Sequence, residues 1–261
     1  MTLIVGAGKL GLHLVRALLE RGAGPLQVLS PSGKKASVPD SKEVEWFAST
    51  AGLDPRPRIC VLCVPDAAIA DAARTLADAL EPGTPVAHTS GTVSAKELAP
   101  FFAHHGVCYP LQTFTPGRPV DWSQVPLLVQ GSDPEALEIF TEFARTLGGR
   151  IVDSDDERRA ALHLAAVFAN NFTNHFFSIA HQICTEAGLD FRLLLPLVEA
   201  TVEKIRHIPP LEAQTGPVVR GDLPTIARHL ERLKAHPEWA ELYRAVSDDI
   251  ARMRQEQRKG P

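Results

Sequence analysis

The chain has no excess of positive charge: 27 Lys and Arg stand against 31 Asp and Glu, a formal net charge of -4 over 261 residues. No global basic field draws it to nucleic acid or to an anionic membrane. It also lacks any uncharged apolar run of about 18 residues, the length a membrane-spanning helix needs. The opening residues, MTLIVGAGKLG, hold no basic segment ahead of an apolar core and enter a strand within two positions. The expectation is therefore no signal peptide and a cytoplasmic location. Cysteine is sparse, with four residues in all. Cys60 and Cys63 have CxxC spacing, but in RICVLCV strand alternation sends positions three apart to opposite faces. With Cys108 and Cys184 remote in sequence, the thiols fit core packing in a reducing compartment rather than a disulfide framework. HxH and HExxH spacings are missing too, so no metal site is expected.

What is present is enough apolar material, 44% of residues, for a substantial core and two domains. Short apolar runs alternate with helical stretches through the first 150 residues: LIV, KLGLHLVRALLERG, LQVLS, VEWF, ICVLCV, DAAIADAARTLADAL, PVAHTS, and a helix expected from Ala95 to Ala103. GVCYPL, PLLVQG and RIVDS add later strands, with PEALEIFTEFARTLG as a helix between the last two. This is the pattern of βαβ units around a mostly parallel sheet, whose buried strands read as runs rather than alternations. After Asp155 nearly everything reads as helix, over 156–187, 191–206, 224–235 and 237–257. The expected organisation is a Rossmann-type α/β domain over residues 1–154 and an all-helical domain over 155–261.

The segment GAGKLG fits GxGxxG with a strand directly before it and an amphipathic helix after it, the context that gives the motif its meaning. Gly6 permits the tight turn, Gly8 lets the backbone approach a pyrophosphate, and Gly11 lets helix and strand pack closely. Gly6, Ala7, Gly8, Lys9, Leu10 and Gly11 are thus expected to bind a dinucleotide at a helix N-terminus. An NAD site places Asp or Glu at the end of the second strand. Here the sequence is VLSPSGKK. Ser30 occupies the acidic position, followed by Ser32, Lys34 and Lys35, whose hydroxyls and ammonium groups suit a ribose 2'-phosphate. The expected cofactor is NADP. Val64 and Pro65, with Asp66 after them, fall at the carboxyl edge of the sheet, where ligands bind in open α/β folds.

The segment HTSG ends the next strand at the same edge. His88 is placed there either to donate to a ligand or to cap the turn, and Ser90 with Gly91 could hold a carboxylate or carbonyl. Tyr109 and Gln112, in YPLQTF, are further polar candidates for the cleft wall. AAVFANNFTNHFF sets three asparagines and a histidine in an otherwise apolar helix. At roughly 100° per residue, His163, Asn170, Asn174 and His181 fall within about 20° of one line. No Glu, Lys or Arg occurs between Arg159 and Glu186, so the stripe suits a buried or cleft-facing hydrogen-bond network, either facing substrate or forming a structural seam. In QTGPVVRGD, Arg220 either clamps a substrate carboxylate or pairs with Asp222.

GAGKLG, VPD, HTSG, YPLQTF, HLAAVFANNFTNH and QTGPVVRGD together resemble a bacterial family that joins a Rossmann-like domain to a helical domain of unknown function (DUF2520). More distantly the chain is similar to β-hydroxyacid dehydrogenases, ketopantoate reductases and pyrroline-5-carboxylate reductases. Their helical domain is of the 6-phosphogluconate dehydrogenase C-terminal type, and they are often dimeric. The resemblance implies a hydride-transfer cleft and a homodimer formed through the helical domain. Hydroxyacid dehydrogenases carry a catalytic Lys one turn before an Asn on this helix. Here Asn170 and Asn171 match the amide positions, while Val167 or Ala166 stands where the Lys would be. The expectation is an NADP-dependent oxidoreductase acting on a C=O or C=N group of a small anionic metabolite. His163 or His88 would supply the proton, Asn170 and Asn174 would orient the substrate, and Ser90, Gly91, Gln112 and Arg220 would bind it. The alternative is a non-catalytic NADP-binding regulatory or scaffold protein.

Overall fold

The computed structural model describes residues 1–33 and 41–259. Two compact units divide the chain, Met1–Ala169 and Asn170–Pro261. The first unit is built on eight strands: β1 (Thr2–Val5), β2 (Leu26–Leu29), β3 (Val44–Phe47), β4 (Ile59–Leu62), β5 (Val86–His88), β6 (His105–Pro110), β7 (Pro126–Gly131) and β8 (Arg150–Asp153). They form one sheet in the order β3-β2-β1-β4-β5-β6-β7-β8. All pairings are parallel except β6 with β7. Val5 lies opposite Leu29 on one side and Leu62 on the other. Strand order reverses at β1 and β4, and a crevice opens outside their carboxyl ends.

Both faces of the sheet are covered. On one, Ile4, Val28 and Val61 pack with Leu14 and Leu18 of helix α1 (Lys9–Glu20) and with Phe140 and Phe143 of α3 (Pro134–Thr146). On the other, Leu3, Cys60 and Leu62 pack with Ile69, Ala73 and Leu76 of α2 (Ile69–Ala77). Burial on two faces is why the central strands are unbroken apolar runs. Cys60 belongs to the second cluster, and Cys63 packs against the first, as strand alternation requires. All four cysteines are free thiols, and burial pushes the Cys63 thiol up to about 12.

Two expected helices differ from what forms. Over residues 95–103 there is only a short 3-10 turn, Ala95–Leu98. Pro100 brings no N–H, so the turn lacks the backbone donor it would need there to continue as a helix. The expected 156–187 helix is instead α4 (Asp156–Ala166), a π-helical segment Val167–Phe172, and α5 (Thr173–Glu186). Val, Phe and Asn, which make up the π segment apart from Ala169, are middling helix formers. A π turn spreads its residues over i→i+5 bonds, so the 100° phase behind the predicted stripe does not carry through it.

The division between the units falls inside this π segment. The first unit therefore extends past residue 154 and takes in α4. The second unit holds α5, α6 (Leu195–Ile205), α7 (Pro210–Ala213), α8 (Pro217–Arg220), α9 (Leu223–Arg232) and α10 (Pro237–Lys259). Gly216 at φ 117° and Gly221 at φ 68° bracket α8 in backbone conformations that favour glycine. His229 Nδ1 meets the Tyr243 hydroxyl at 3.0 Å and links α9 to α10. No helix among the described residues is long and apolar enough to cross a membrane.

Candidate functional site

The glycine motif follows β1. Gly6, at φ 103°, donates its N–H to Leu29 O at 2.9 Å, and a Cβ there would lie 2.5 Å from the Cys63 carbonyl oxygen. A Cβ on Gly11 would lie 1.9 Å from the Gly6 carbonyl oxygen, so helix α1 is seated directly against the turn. At Gly8 the situation reverses, because a Cβ would meet nothing within 4 Å. The open space is a cradle that a side chain would fill. Gly8 is the N-cap of α1, with no side-chain cap and no acidic residue in the first turn. The first-turn N–H groups thus lack intrahelical partners and carry the positive end of the helix dipole. Ala7, Gly8, Lys9, Leu12, His13 and Arg16 line a cavity of about 200 Å³ here, with Pro116 and Gly117 across from them. This donor set fits a pyrophosphate. Leu10 packs against the core and offers the loop only its backbone.

A larger cavity of about 410 Å³ lies at the ends of β1, β2 and β4. Val5, Gly6 and Leu29 form part of it, with Val64, Ser49 and Thr50 also in its wall. Ser49 and Thr50 carried no sequence signal, because they sit in an irregular STAG stretch. Ser30, the predicted polar contact, is only 2% exposed. Its hydroxyl lies 3.1 Å from that of Ser32, and its carbonyl accepts from Gly33 N–H at 2.8 Å. The turn folds back and buries Ser30, which corrects the expectation that it contacts the ligand; Ser32 is the exposed hydroxyl. Lys34 and Lys35 lie outside the described residues. Pro65 is exposed, and the Asp66 carboxylate after it accepts from the Thr92 hydroxyl at 2.8 Å, tying this loop to the HTSG turn.

His88 is 0% exposed. Its Nδ1 accepts from Ser90 N–H at 3.2 Å, and its Nε2 faces the Ser94 carbonyl at 3.2 Å and so carries the proton. Burial drives its pKa down to about 4. A neutral ring with both nitrogens occupied by the backbone holds the loop, so of the two expected roles of His88 the geometry is that of the turn cap. Ser90 Oγ is likewise engaged, accepting from Thr92 and Val93 N–H at 3.1 and 3.0 Å.

Beneath this turn lies Arg159, 1% exposed, a residue the sequence hid in the charged run DDERR. Its guanidinium donates to Gln130 Oε1 at 2.6 Å, to the Val93 carbonyl at 2.5 Å and to Asp156 at 2.8 Å, while its Nε has no partner. Asp156 also accepts from the Ser94 hydroxyl and from Ala95 N–H at 3.1 Å. Burial pushes the Asp156 pKa up, but these hydrogen bonds and the Arg159 charge outweigh it and leave the group at about 2. Arg159 thereby fastens α4 to β7 and to the turn after β5, which is why α4 belongs to the sheet unit.

One turn further along α4, His163 Nδ1 meets the Tyr109 hydroxyl at 3.0 Å. The rings cross at 61° with centroids 5.9 Å apart. A Cβ on Gly91 would lie 2.4 Å from His163 Nδ1, so the imidazole rests directly on the backbone of the HTSG turn. The structure thus brings Gly91, Tyr109 and His163 together at the carboxyl edge. Gln112 is exposed, its amide oxygen accepting from Thr113 N–H at 2.8 Å. Another residue without a sequence signal is His13, whose Nδ1 faces Lys9 O at 2.7 Å and whose Nε2 faces Arg118 O at 3.0 Å. It joins α1 to the loop bearing Pro116 and Gly117.

In the second unit Asn170 and Asn174 are exposed, as is His181, on a helix that also exposes Phe176 and Ile183. Within one chain these amides are not buried, which corrects that part of the stripe expectation. Arg220 is exposed and makes no hydrogen bond or ion pair among the described residues. Asp222 instead caps α9 by accepting from Thr225 N–H at 3.1 Å. Among the described residues no cluster of three or more His, Cys, Asp or Glu could hold a metal ion.

A family model described as a Rossmann-like domain matches residues 2–114, and one described as a domain of unknown function (DUF2520) matches residues 125–250. No curated protein matches the chain. Among solved structures, a candidate NADP oxidoreductase from Bacteroides fragilis is 31% identical, with 96% of this chain and 97% of that one covered and a TM-score of 0.86. A protein from Thermotoga maritima is 21% identical over 98% and 100% of the two chains, with a TM-score of 0.70. The Plasmodium falciparum pyrroline carboxylate reductase with NADP bound is 11% identical over 96% and 97%, with a TM-score of 0.61. The last two likenesses are of fold alone. With its glycine cradle, its HTSG turn and its matched length, the chain belongs to the family that joins a Rossmann-like domain to a DUF2520 domain.

Proposed function

We propose that this protein is an NADP-dependent oxidoreductase that reduces a C=O or C=N group of a small anionic metabolite. The observation that carries the reading is the open space at Gly8, set beneath an uncapped helix N-terminus at the sheet edge where His163 also sits. The 31% identical Bacteroides fragilis protein, which carries the name of NADP oxidoreductase, supports it. Gly6 to Gly11 would hold the pyrophosphate, and Ser32 with Lys34 and Lys35 would receive the 2'-phosphate. Bound NADPH would supply a hydride to the substrate carbon. His163 holds the proton for the substrate heteroatom, its ring resting on the backbone of the HTSG turn at the carboxyl edge of the sheet. Asn170 and Asn174 orient the substrate, and Arg220 binds its carboxylate. The helical unit pairs with a second copy, a reading supported by the apolar side chains that it leaves uncovered.

Calorimetric titration of the purified protein with NADPH and NADH in parallel tests the cofactor. Tight NADPH binding with NADH at least about tenfold weaker, a difference of about 1.4 kcal/mol, is expected. A folded protein that binds neither would end the proposal. Once a turned-over metabolite is in hand, His163→Gln should lower kcat by about 100-fold or more. Unchanged turnover would remove His163 from the chemistry, and cofactor binding without any oxidation would favour the non-catalytic alternative.

A further inference from the structure

His163 is half of a pair, and the other half, Tyr109, has no part in the reaction described above. The Tyr109 phenol is half-buried near the end of β6, and its single hydrogen-bond partner among the described residues is His163 Nδ1 at 3.0 Å. Two arguments fix the direction of this bond. A phenol, with an ordinary pKa near 10, is a far stronger acid than a neutral imidazole N–H, so the O–H donates and the ring nitrogen accepts. Were Nδ1 to donate instead, the phenol proton would be left without a protein acceptor. Burial, with the Asp66 carboxylate adding to it, raises the Tyr109 pKa and keeps the phenol protonated and able to donate.

Gly91 supplies the third constraint. Its missing Cβ would sit 2.4 Å from His163 Nδ1, 2.8 Å from Cγ and 3.0 Å from the Tyr109 Cζ. The imidazole is therefore held between a phenol and a bare peptide. Turning the ring over would put a carbon where Nδ1 meets the hydroxyl and lose the bond.

We propose that Tyr109 is a positioning residue: with the Gly91 backbone behind the ring, its hydroxyl fixes His163 as the neutral Nε2–H tautomer, so that Nε2 is the proton-bearing atom of the site. Nε2 makes no hydrogen bond among the described residues and is free to meet a ligand. An N–H donor complements a carbonyl oxygen, which accepts. It opposes a protonated imine, whose N–H also donates. The pair thus favours C=O over C=N as the reducible group, a choice that rests on His163 being the proton donor. The proton balance also closes. As Nε2 gives its proton to an alkoxide oxygen, Nδ1 takes the phenol proton, leaving a neutral Nδ1–H ring and a phenolate; when a solvent proton then returns to Nε2, Nδ1 hands its proton back to the phenolate and the Nε2–H tautomer is restored.

The test is two-bond 15N–1H correlation NMR on the full-length protein labelled at histidine, with the His163 signals assigned by their loss in His163→Gln. In the unaltered protein Nδ1 should resonate as an unprotonated nitrogen and Nε2 as a protonated one. In Tyr109→Phe, Nδ1 should shift by tens of ppm toward the averaged position of a tautomer mixture. Gly91→Ala, which displaces the ring from the other side, should move the same signal. An Nδ1–H tautomer in the unaltered protein would overturn the proposal and with it the preference for carbonyl, as would an unmoved Nδ1 signal in Tyr109→Phe. This readout needs no substrate, so it stands or falls separately from the turnover of His163→Gln.

Discussion

The two units of this chain solve the hydrophobic problem differently. Apart from Ala240, 5% exposed, every buried hydrophobic residue among those described belongs to the first unit. There the sheet is covered on both faces and carries its own core. In the second unit Phe172, Phe176, Leu193, Leu197, Ile205 and Leu223 are exposed, Leu197 at 66%. Self-standing helices bury their apolar stripes against one another. The helical unit leaves most of its apolar side chains uncovered within the single chain, whereas in the sheet unit the exposed large hydrophobic residues, among those described, are confined to β8, α4 and Phe168. The glycine cradle and the Tyr109–His163 pair lie within the first unit, whereas the apolar side chains on which the proposed pairing with a second copy rests lie in the second.

The largest effect is expected on assembly. By light scattering the protein should have twice its chain mass of 28.3 kDa. Glutamates at both Leu193 and Leu197, one helical turn apart, should weaken association by more than about 100-fold through buried unpaired charge, about 3 kcal/mol, and restore the single-chain mass. A protein already monomeric at tens of micromolar would break the comparison, since the helical unit would then stand with its apolar faces in water.

Next in size is a test of the sheet unit's independence. Gly11→Val drives a side chain into the Gly6 carbonyl, 1.9 Å from where its Cβ would be. It should cost about 3 kcal/mol, read as a lowered denaturant midpoint. The dimer should persist wherever the protein remains folded. A loss of association equal to that of the glutamate pair would mean that the units are not separable.

Acid should act on the sheet unit through His88. Burial lowers that ring from an ordinary 6.5 to about 4. Between those values the unfolded chain takes up a proton that the folded one refuses. Stability is thus complete above pH 6.5 and is lost as pH falls toward 4, by up to about 3 kcal/mol. Asp156, held at about 2, keeps its contribution through this window and loses it only as pH falls from about 4 toward 2. Thermal unfolding between pH 7 and 4 reads the effect, and His88→Asn should flatten the slope. An unchanged slope would show that another group governs acid sensitivity.

Legibility in the sequence divides along the same line. The central strands β1 and β4 are visible as apolar runs because burial on both faces leaves little room for polar side chains, whereas the edge strands β3 and β8 carry Glu45, Arg150 and Asp153 at exposed positions. Gly6 and Gly11 are legible because each meets a backbone carbonyl oxygen, and Gly8 because the space beside it is left open. What escaped was tertiary. Arg159 reads as a solvated charge in DDERR, and only the fold brings Gln130 and Val93 to it. His88 reads equally as a donor or as a turn cap, because a turn-anchoring imidazole and a proton donor have the same letter. The asparagine stripe assumed one uniform helix, and the π segment at Val167–Phe172 removes that assumption. Tyr109 was visible as a polar residue in YPLQTF, but its pairing with a histidine on α4 depends on the β5 and β6 connections and has no sequence period.

The smallest effect is the sharpest probe of whether the units unfold together. Asp133 caps α3 in the sheet unit by accepting from Ala136 N–H at 3.0 Å, and Asp222 caps α9 in the helical unit by accepting from Thr225 N–H at 3.1 Å. The same chemistry therefore exists on both sides of the division, and replacing either with Ala should cost about 1 kcal/mol. α3 packs Phe140 and Phe143 into the core, so Asp133→Ala should lower the midpoint of global unfolding. α9 has no buried residue, so Asp222→Ala should instead speed hydrogen exchange in α9 while leaving amides of β1 and β4 unchanged. If exchange in β1 and β4 quickens equally in both variants, the chain opens as one cooperative body and the contrast between the units ends at their surfaces.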